Sequence, residues 1–391
     1  MDYISRLLSF IPDDKLEDFA LYTEVDKYAK KLQGELLFKL LFYSLITEKE
    51  NSLRGMQSAL ESALFQAMST KFGTSTISHS SISERLNSIK PGYFEQIYEY
   101  CIQSYKSSFK NSKDPIVRFD STIVALSSKL LKIGYHIKNS DAQNYRMLKF
   151  TIGYSDIPEC ICFYTSQSHT SENVSLRQTI VENKQINTEQ TVSVFDRGIS
   201  SRDSYDLLTD NKIQFISRIN EGAKQTIHTP NILKKKIQTD TLTIISDSWV
   251  YLYTQHKKRS KYPVRLIKAI KKSDKEPIVF ISNIEKLSAV EIAKIYKSRW
   301  DIEVFIKFIK QHLNFGHLLN RTENGIKVIM YVTMTVAILI MQYRQMKKLK
   351  SYKIAKQMFA QDLERDIIYH IVVICDGDAK KAKKILYQNS S

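Results

Sequence analysis

The chain has 391 residues, of which 58 are Lys or Arg and 41 are Asp or Glu, so its formal net charge at pH 7 is +17. This balance excludes an acidic or neutral enzyme surface, and a hydrophobic content of 43% with 11% aromatics excludes disorder as the overall state. With only 11 Gly and 7 Pro, long flexible linkers and collagen-like segments are excluded too.

The first 110 or so residues are predicted to be helical. Apolar residues recur at spacings of three and four in 36–45 and again in 94–101, as in helices with one buried face. Ser81 and Glu84 have the spacing of a capping box, which predicts a short helix that opens at Ser81 and ends before Pro91. Residues 1–112 are therefore expected to form a helical N-terminal domain, either a DNA-binding unit with a helix-turn-helix or an ordinary helical bundle.

The pattern changes at Pro115. Stretches of β-branched and aromatic residues predict five strands, over 116–124, 146–154, 160–164, 191–195 and 213–219. Helices are predicted between the last three of these strands, near 175–183 and 202–208. Three strands followed by alternating helices and strands indicate an α/β fold with a mixed sheet.

Residues 222–283 are again rich in strand-forming residues, with strands predicted over 242–245, 249–254, 264–270 and 278–281. Between Lys257 and Lys275 one acid, Asp274, accompanies nine basic residues: Lys257, Lys258, Arg259, Lys261, Arg265, Lys268, Lys271, Lys272 and Lys275. Such a concentration favours a phosphate backbone as partner, with Lys257, Lys258, Arg259 and Lys261 as candidate DNA-binding residues. The alternative is a solvated surface loop.

From Ser288 to the end the pattern is helical, finishing in a Lys-rich tail over 346–391. The longest apolar run, 328–341, has 14 residues and contains two threonines, whereas a membrane span needs about 20. We therefore expect a buried helix there and no membrane partner.

The four cysteines, Cys101, Cys160, Cys162 and Cys375, have the spacing of neither a disulfide framework nor paired metal motifs. Cys160 and Cys162 fit better as small apolar residues of a strand. The N-terminus lacks a basic region followed by a long apolar core, the pattern of a secretory signal. The expected location is thus the reducing cytoplasm.

One helix in the C-terminal half carries a narrow polar stripe. At 100° per residue, Tyr296, Arg299, Glu303, Lys307 and Lys310 fall within about 80° of one another, and nearly all other positions are apolar. Alone, this pattern also fits an exposed stripe in which Glu303 pairs with Arg299 and Lys307.

Two aspartates favour a functional role for that helix over an ordinary exposed stripe. Asp120 follows Phe119 in an apolar strand, and Asp196 closes the strand 192–195 just before Arg197. Carboxylates at strand ends commonly hold metal or phosphate chemistry in α/β proteins, although each alone is more often a turn or cap residue. Two such Asp residues with Glu303 would suit divalent metals, because Mg²⁺ and Mn²⁺ prefer hard oxygen ligands.

The spacing Tyr296-x2-Arg299-x3-Glu303-x6-Lys310 resembles the Tyr-Arg-Glu-Lys signature of the IS-four family of bacterial insertion-sequence transposases. The sequences RFDST around Asp120 and FDRG around Asp196 are also similar to that family's two catalytic Asp motifs, in the same order. The resemblance covers roughly residues 115–345.

The resemblance implies a ribonuclease-H-like catalytic core over 113–221 and 284–345, with a β-rich basic insertion over 222–283. Asp120, Asp196 and Glu303 would be the catalytic residues and would bind two Mg²⁺ ions, with Mn²⁺ as an alternative. Tyr296, Arg299 and Lys310 would hold phosphates beside the scissile bond. The partners would be double-stranded DNA, namely the terminal inverted repeats and the target, and a second copy in a synaptic homodimer.

Other residues receive weaker predictions. Trp249, Tyr251 and Tyr253 are candidates to hold a flipped base, as in hairpin-forming relatives, but alternate aromatics on a strand more often belong to a core. Trp300 is expected to pack internally. His169 lies where a site could form, yet a loop or helix-capping role is favoured. No Walker loop is present, so ATP is not expected.

The leading hypothesis from the sequence is a cut-and-paste transposase that frees 3′-hydroxyls at the element's ends and joins them to target DNA. One rival is a catalytically silent DNA-binding derivative, which the presence of all three carboxylates disfavours. A second rival is a nuclease on the same core that cuts without strand transfer, which the long insertion and the stripe of Tyr296, Arg299 and Lys310 disfavour.

Overall fold

In a computed structural model of the chain, the residues described are 11–47, 52–73, 76–108, 116–127, 134–135, 145–186, 191–254 and 257–387. They divide into two compact units. A helical unit draws on the described residues within 11–108, 126–127 and 307–387, and a sheet unit draws on those within 116–125 and 134–306. Each unit is described on its own.

The N-terminal part of the helical unit confirms the helical prediction. Its helices are Asp13–Thr23 (α1), Gly34–Thr47 (α2), Leu53–Glu61 (α3), Ala63–Met68 (α4), His79–Ser88 (α5) and Gly92–Ser108 (α6). The predicted start of α5 at Ser81 is wrong. Ser78, whose backbone is extended, accepts the Ser81 N–H with its side chain and so caps the helix. Serines lie at 78, 80 and 81, and the first of them takes the cap.

The C-terminal part contains the long apolar helix. Glu323–Met346 (α11) includes the run 328–341, and Tyr352–Ile374 (α12) and Ala379–Tyr387 (α13) follow it. By length and composition α11 could cross a membrane, but 83% of its most apolar window is buried inside the fold. The buried hydroxyl of Tyr343 in α11 also donates to Asp362 of α12 at 2.6 Å. This burial agrees with the predicted buried helix.

In the described part of the sheet unit there are ten strands, which confirms the predicted α/β character with a mixed sheet. They are Ile116–Ser127 (β1), Tyr145–Tyr154 (β2), Pro158–Tyr164 (β3), Val192–Val194 (β4), Gln214–Arg218 (β5), Gln225–Thr229 (β6), Ile237–Gln238 (β7), Leu242–Leu252 (β8), Val264–Lys271 (β9) and Pro277–Ser282 (β10). The strand order is 3-2-1-4-5-10-9-8-6, with β7 paired to β8. Strands β1, β4 and β5 are parallel, and β5, β10, β9 and β8 are antiparallel.

The strands of 222–283 extend the same sheet through the pairing of β10 with β5. Two of them were predicted as separate, over 242–245 and 249–254, and this prediction is wrong because β8 runs unbroken from Leu242 to Leu252. The register shifts between Ile244 and Ser246, and the polar residues that suggested a break, Ser246 to Ser248, then pair regularly with β9, so the ladder continues through them.

The α-helices in the described residues of the sheet unit are Glu172–Ile186 (α7), Arg202–Asp210 (α8), Ala289–Lys297 (α9) and the first half of Trp300–His312 (α10). Hydrophobic residues of α7 and α8 cluster with Val117 and Phe215, whereas those of α9 cluster with Ile116 and Ile216. Successive strand residues point to opposite faces, so α7 and α8 cover one face of the sheet and α9 covers the other.

Candidate active site

The two predicted aspartates occupy matching positions on neighbouring parallel strands. In the β1–β4 ladder Arg118 is opposite Val194, and Asp120 and Asp196 each follow two residues later. Paired strands lie about 4.8 Å apart, so the register brings the two residues side by side just beyond the carboxyl end of the β1–β4 ladder. Asp120 and Asp196 lie an even number of residues from Ile116 and Val194, which pack against α9. Because side chains alternate along a strand, both aspartates lie on that same face of the sheet.

Asp196 lies in a strongly cationic setting. Tyr296, on α9, donates its hydroxyl to Asp196 Oδ1 at 2.8 Å, and Arg218 Nε lies 3.7 Å from the same oxygen. Burial opposes the charge, but the Arg197 backbone N–H, the Tyr296 hydroxyl and the charges of Arg299 and Arg218 outweigh it and lower the pKa of Asp196. This carboxylate is therefore held ionised.

Asp120 is less favourably solvated. Burial raises its pKa to about 6, and the charges of Glu172 and Glu303 act in the same direction. The Ser121 backbone N–H, which donates to Asp120 Oδ1 at 2.8 Å, and the charge of Arg299 oppose the rise. A half-buried carboxylate near two other acids is one that a bound cation would stabilise.

Glu303 lies on the first turn of α10, near enough to Asp120 to influence its charge. Its carboxylate forms an ion pair with Arg299 Nη2. Phe305, two residues on, stacks on Tyr154 of β2 with ring centroids 4.9 Å apart and so packs the start of α10 against the sheet. The structure thus brings Asp120, Asp196, Tyr296, Arg299 and Glu303 to one place.

The prediction that a single helix carries Tyr296, Arg299 and Glu303 is wrong. Helix α9 ends at Lys297 and α10 begins at Trp300, with a turn at Ser298 and Arg299. Helical periodicity cannot show such a turn, because it leaves the spacing of apolar residues almost unchanged. The turn lets Tyr296 point to Asp196 while Arg299 pairs with Glu303.

Arg118 is a site-forming residue that the sequence prediction missed. It is buried on β1, and its Nε donates to the Ser298 carbonyl at 2.9 Å and to Ser298 Oγ at 3.1 Å. Its Nη1 donates to the Ser155 carbonyl at 3.3 Å, and Asp301 Oδ2 lies 3.6 Å from its Nε. The one available signal was an Arg inside an apolar strand. Arg118 fastens the α9–α10 turn to the strand that carries Asp120.

Arg118→Lys is expected to lower the free energy of unfolding by about 1–3 kcal/mol, because one ammonium cannot replace the fork that reaches two part-buried carbonyls. Urea denaturation of the purified protein measures this loss. Ser298→Ala is the matched control and should cost less, since the Ser298 carbonyl still accepts from Arg118 Nε. Equal stability of Arg118→Lys and the parent would contradict the fastening role.

Two other residues near the motif behave differently. Lys310 is exposed on α10. Trp300, predicted to pack internally, is 63% exposed, so that prediction is wrong. Beginning α10 just after the turn points its side chain outward, into an open groove of about 620 Å³ lined also by Lys294, Lys297 and Arg299.

The basic stretch is divided by the fold. Arg265 is buried and donates two hydrogen bonds to Asp247, of 2.8 and 2.6 Å, so its charge is neutralised inside the protein. Lys261 Nζ lies 2.6 Å from Asp210. Lys257, Lys258 and Arg259 are exposed, with Lys258 only 3.7 Å from Asp203.

Of the remaining candidates, the aromatic residues lie on or next to β8, and His169 lies in a short 3-10 helix, Gln167–Thr170. Trp249, Tyr251 and Tyr253 are half-buried rather than core residues, because Val250 and Leu252 occupy the core face of β8. His169 stacks on Tyr164 at 4.4 Å, and its Nε2 lies 2.9 Å from Gln178 Oε1. These contacts fit the favoured loop role of His169. Cys160 and Cys162 lie in β3, as predicted.

The acids at the site suit a hard divalent cation by their chemistry. Within the described ranges, however, no three His, Cys, Asp or Glu side chains are clustered closely enough to hold one metal ion. Arg299 accounts for part of this, because it takes the carboxylate of Glu303. These acids therefore fit a metal ion on condition that Glu303 leaves Arg299 and binds the ion instead.

Comparison with known proteins agrees with this geometry. The model of a family described as "Transposase DDE domain" matches residues 111–339, which is more than half of the chain. The matched region includes Asp120, Asp196, Tyr296, Arg299 and Glu303.

Three curated relatives are similar over part of their length. A Synechocystis protein named as a transposase for insertion sequence element IS4SA is 29% identical over 61% of this chain and 63% of its own. A Geobacillus stearothermophilus protein named as a transposase for element IS5377 is 25% identical over 59% and 56%. A Sinorhizobium fredii protein named as transposase y4zB is 27% identical over 36% and 39%. The chain thus spans less than two thirds of the length of these relatives.

Proposed function

The chain belongs to the DDE transposase family, and from this we propose that it mobilises an insertion sequence of the IS-four type by cut-and-paste transposition. The protein would bind the element's terminal inverted repeats, cleave the phosphodiesters at the ends and join the 3′-hydroxyls to target DNA in the cytoplasm. The observation that carries the proposal is the convergence of Asp120, Asp196 and the Arg299–Glu303 pair beside Tyr296.

The catalytic core is proposed to be ribonuclease-H-like. Support comes from the strand order 3-2-1-4-5, with β1, β4 and β5 parallel and helices on both faces. The core would comprise residues 113–221 and 284–345, with 222–283 as an insertion whose strands prolong the sheet. Residues 1–112 and 346–391 would be the flanking helical domain and tail.

Asp120, Asp196 and Glu303 would hold two Mg²⁺ ions, which supply an activated nucleophile and neutralise charge on the attacking and leaving oxygens. Tyr296 keeps Asp196 oriented and ionised through its hydroxyl. Arg299 has a planar fork that binds carboxylate and phosphate equally well, so a DNA phosphate can compete with Glu303 for it. Lys310 would add a point charge to the phosphate contacts.

The test is incubation of the full-length protein with labelled terminal-repeat DNA and either Mg²⁺ or Ca²⁺. End cleavage and joining with Mg²⁺, and binding alone with Ca²⁺, support the proposal. Cleavage without joining identifies a nuclease, and binding without cleavage in either ion identifies a silent DNA-binding derivative. Size measurement of the protein–DNA complex tests the proposed homodimer.

Lys257, Lys258 and Arg259 are proposed to contact the DNA backbone, because they are the exposed cluster of the basic stretch. Changing all three to Gln should weaken binding and reduce the slope of log K against log salt by about 0.9 for each phosphate that the protein no longer neutralises. Binding isotherms at several salt concentrations measure it. Changing the exposed Lys380, Lys381 and Lys384 of α13 to Gln removes the same charge and is the control. Equal slopes for the parent and the first variant would mean that the cluster is merely solvated.

A further inference from the structure

A small cavity lies next to Asp196, beyond the carboxyl ends of the neighbouring parallel strands β4 and β5. Its volume is about 300 Å³, and it is bounded by the segment after β4, the first residues of α8 and the segment after β5. Three arginines line it, Arg197, Arg202 and Arg218, so we call it the arginine cavity. Ligands of parallel sheets commonly bind at this end of the strands.

The three guanidinium groups have few acidic partners. Arg218 Nε lies 3.7 Å from Asp196 Oδ1, whereas no Asp or Glu of the described residues lies within ion-pair distance of Arg197 or Arg202. Arg197 Nη1 donates to a neutral group, Asn220 Oδ1, at 3.4 Å. Like charges that share one cavity repel one another, so a bound anion would stabilise this arrangement.

Arg202 has an unpaired donor. This half-buried residue donates from Nη1 to the Ser200 carbonyl, but its Nε is shielded from solvent and has no hydrogen-bond partner in the part of the chain that the structure describes. A buried donor without a partner costs free energy. Nε and Nη2 form the edge with which a guanidinium binds an oxyanion through two parallel hydrogen bonds. The Ser200 bond leaves that edge for a ligand.

A purely structural role would make Arg202 resemble other buried or half-buried arginines of the chain. Arg265 donates to both oxygens of Asp247, and Arg85 Nη2 lies 3.1 Å from Asp26 Oδ1. Arg202 has no acid and is the first residue of α8, where a positive charge opposes the helix dipole. Its charge is therefore better explained by a ligand than by the fold.

The start of α8 adds to the attraction for an anion. This helix has nine residues, and the side chain of its N-cap, Ser201, does not accept from the first turn. The first N–H groups of a helix have no partner within the helix and attract negative charge. The one acid of the first turn, Asp203, is exposed, lies 3.7 Å from Lys258 Nζ and does not line the cavity.

We propose that the arginine cavity binds a phosphate of the DNA strand that enters the active site, with Arg202 turning the unpaired edge of its guanidinium to that phosphate. The inference rests on the proposed function and deepens it, because Asp196 lies beside the cavity and Arg218 contacts both. The phosphate belongs either to the terminal repeat or to the target, since the two have the same chemistry. It is a different phosphate from the one held by Tyr296 and Arg299.

The experiment uses DNA in which single phosphates are replaced by uncharged methylphosphonates. In the first arm, full-length protein binds labelled terminal-repeat DNA in Ca²⁺, with one replacement at a time near the cleavage site. One replacement should weaken binding by the parent about 10-fold, the usual effect of losing a hydrogen bond to a charged group. The same replacement should add no loss in Arg202→Gln, because that variant already lacks the contact.

The second arm supplies precleaved ends with Mg²⁺ and places the replacements in a short target duplex, with joining as the measurement. Loss of the effect of a replacement in Arg202→Gln assigns the phosphate to the repeat in the first arm and to the target in the second, and either result supports the inference. Independent, additive losses at every position in both arms overturn it. If the parent binds the repeat but neither cleaves nor joins, the proposed function fails, and the first arm alone decides whether the cavity binds phosphate.

Other variants separate a lost contact from misfolding. Arg202→Gln removes a positive charge from the first turn of α8, so it should unfold at the same temperature as the parent or higher. Arg197→Gln, at an exposed position of the cavity, should show the same loss of sensitivity to the replaced phosphate. Lys212→Gln removes the same charge just beyond the other end of α8 and is the control, which should respond to every replacement as the parent does.

Discussion

Asp120→Asn is expected to reduce end cleavage and joining by about 10³-fold while binding of the terminal repeat is retained. Asparagine has the same shape and can still accept the Ser121 N–H, but it lacks the charge that a divalent ion requires. Gel assays with labelled repeat DNA and Mg²⁺ measure the chemistry, and mobility shifts in Ca²⁺ measure the binding.

The stability of Asp120→Asn shows whether a loss of cleavage comes from misfolding rather than from the lost charge. Burial raises the pKa of Asp120 to about 6, above that of the unfolded chain, so its ionised form opposes folding at pH 7 without a cation. The neutral amide should then unfold at the same temperature as the parent or higher. Asp240→Asn, at an exposed position before β8, is the control and should cleave normally. Normal cleavage by Asp120→Asn would refute the catalytic assignment.

Asp247→Ala is expected to lower the free energy of unfolding by about 3–5 kcal/mol, the usual cost of leaving one partner of a buried ion pair alone. The Asp247 and Arg265 side chains are only 1% and 4% exposed, and Arg265 Nη1 also donates to the Ile284 carbonyl at 3.1 Å. The pair therefore joins β8 and β9 to the segment that leads into α9.

Urea denaturation tests this prediction. Asp210→Asn is the control, because it breaks the exposed pair with Lys261, and its unfolding midpoint should hardly move. Midpoints that coincide for Asp247→Ala and the parent would contradict the structural role of the pair. In that case Arg265 would again be available as a DNA-binding residue of the basic stretch.

Local patterns account for most of what could be predicted. Helices and strands followed from apolar periodicity and β-branched composition, and the α/β order followed from their alternation. Element boundaries were less accurate, because neighbouring residues compete for the same role. Ser78 rather than Ser81 caps α5, and the polar residues of β8 that resemble a loop, Ser246 to Ser248, pair regularly with β9.

Partners far apart in the chain could not be predicted from the same patterns. The bond from Tyr296 to Asp196 joins residues 100 apart, and the bonds from Arg118 to Ser298 join residues 180 apart. Trp300 illustrates the consequence, because its exposure depends on a turn held by Arg118 and not on its own hydrophobicity.

By itself the sequence determined the sets of residues: the two Asp motifs, the Tyr-Arg-Glu spacing, the basic stretch and the α/β order that together indicate a transposase. The tertiary structure decided which charges are available. Arg265 is buried in an ion pair with Asp247, Glu303 forms an ion pair with Arg299, and the Glu172 carboxylate lies next to Gly198. The physical reason is that a charge acts over a few ångströms of space, and only folding decides which distant side chains share that space.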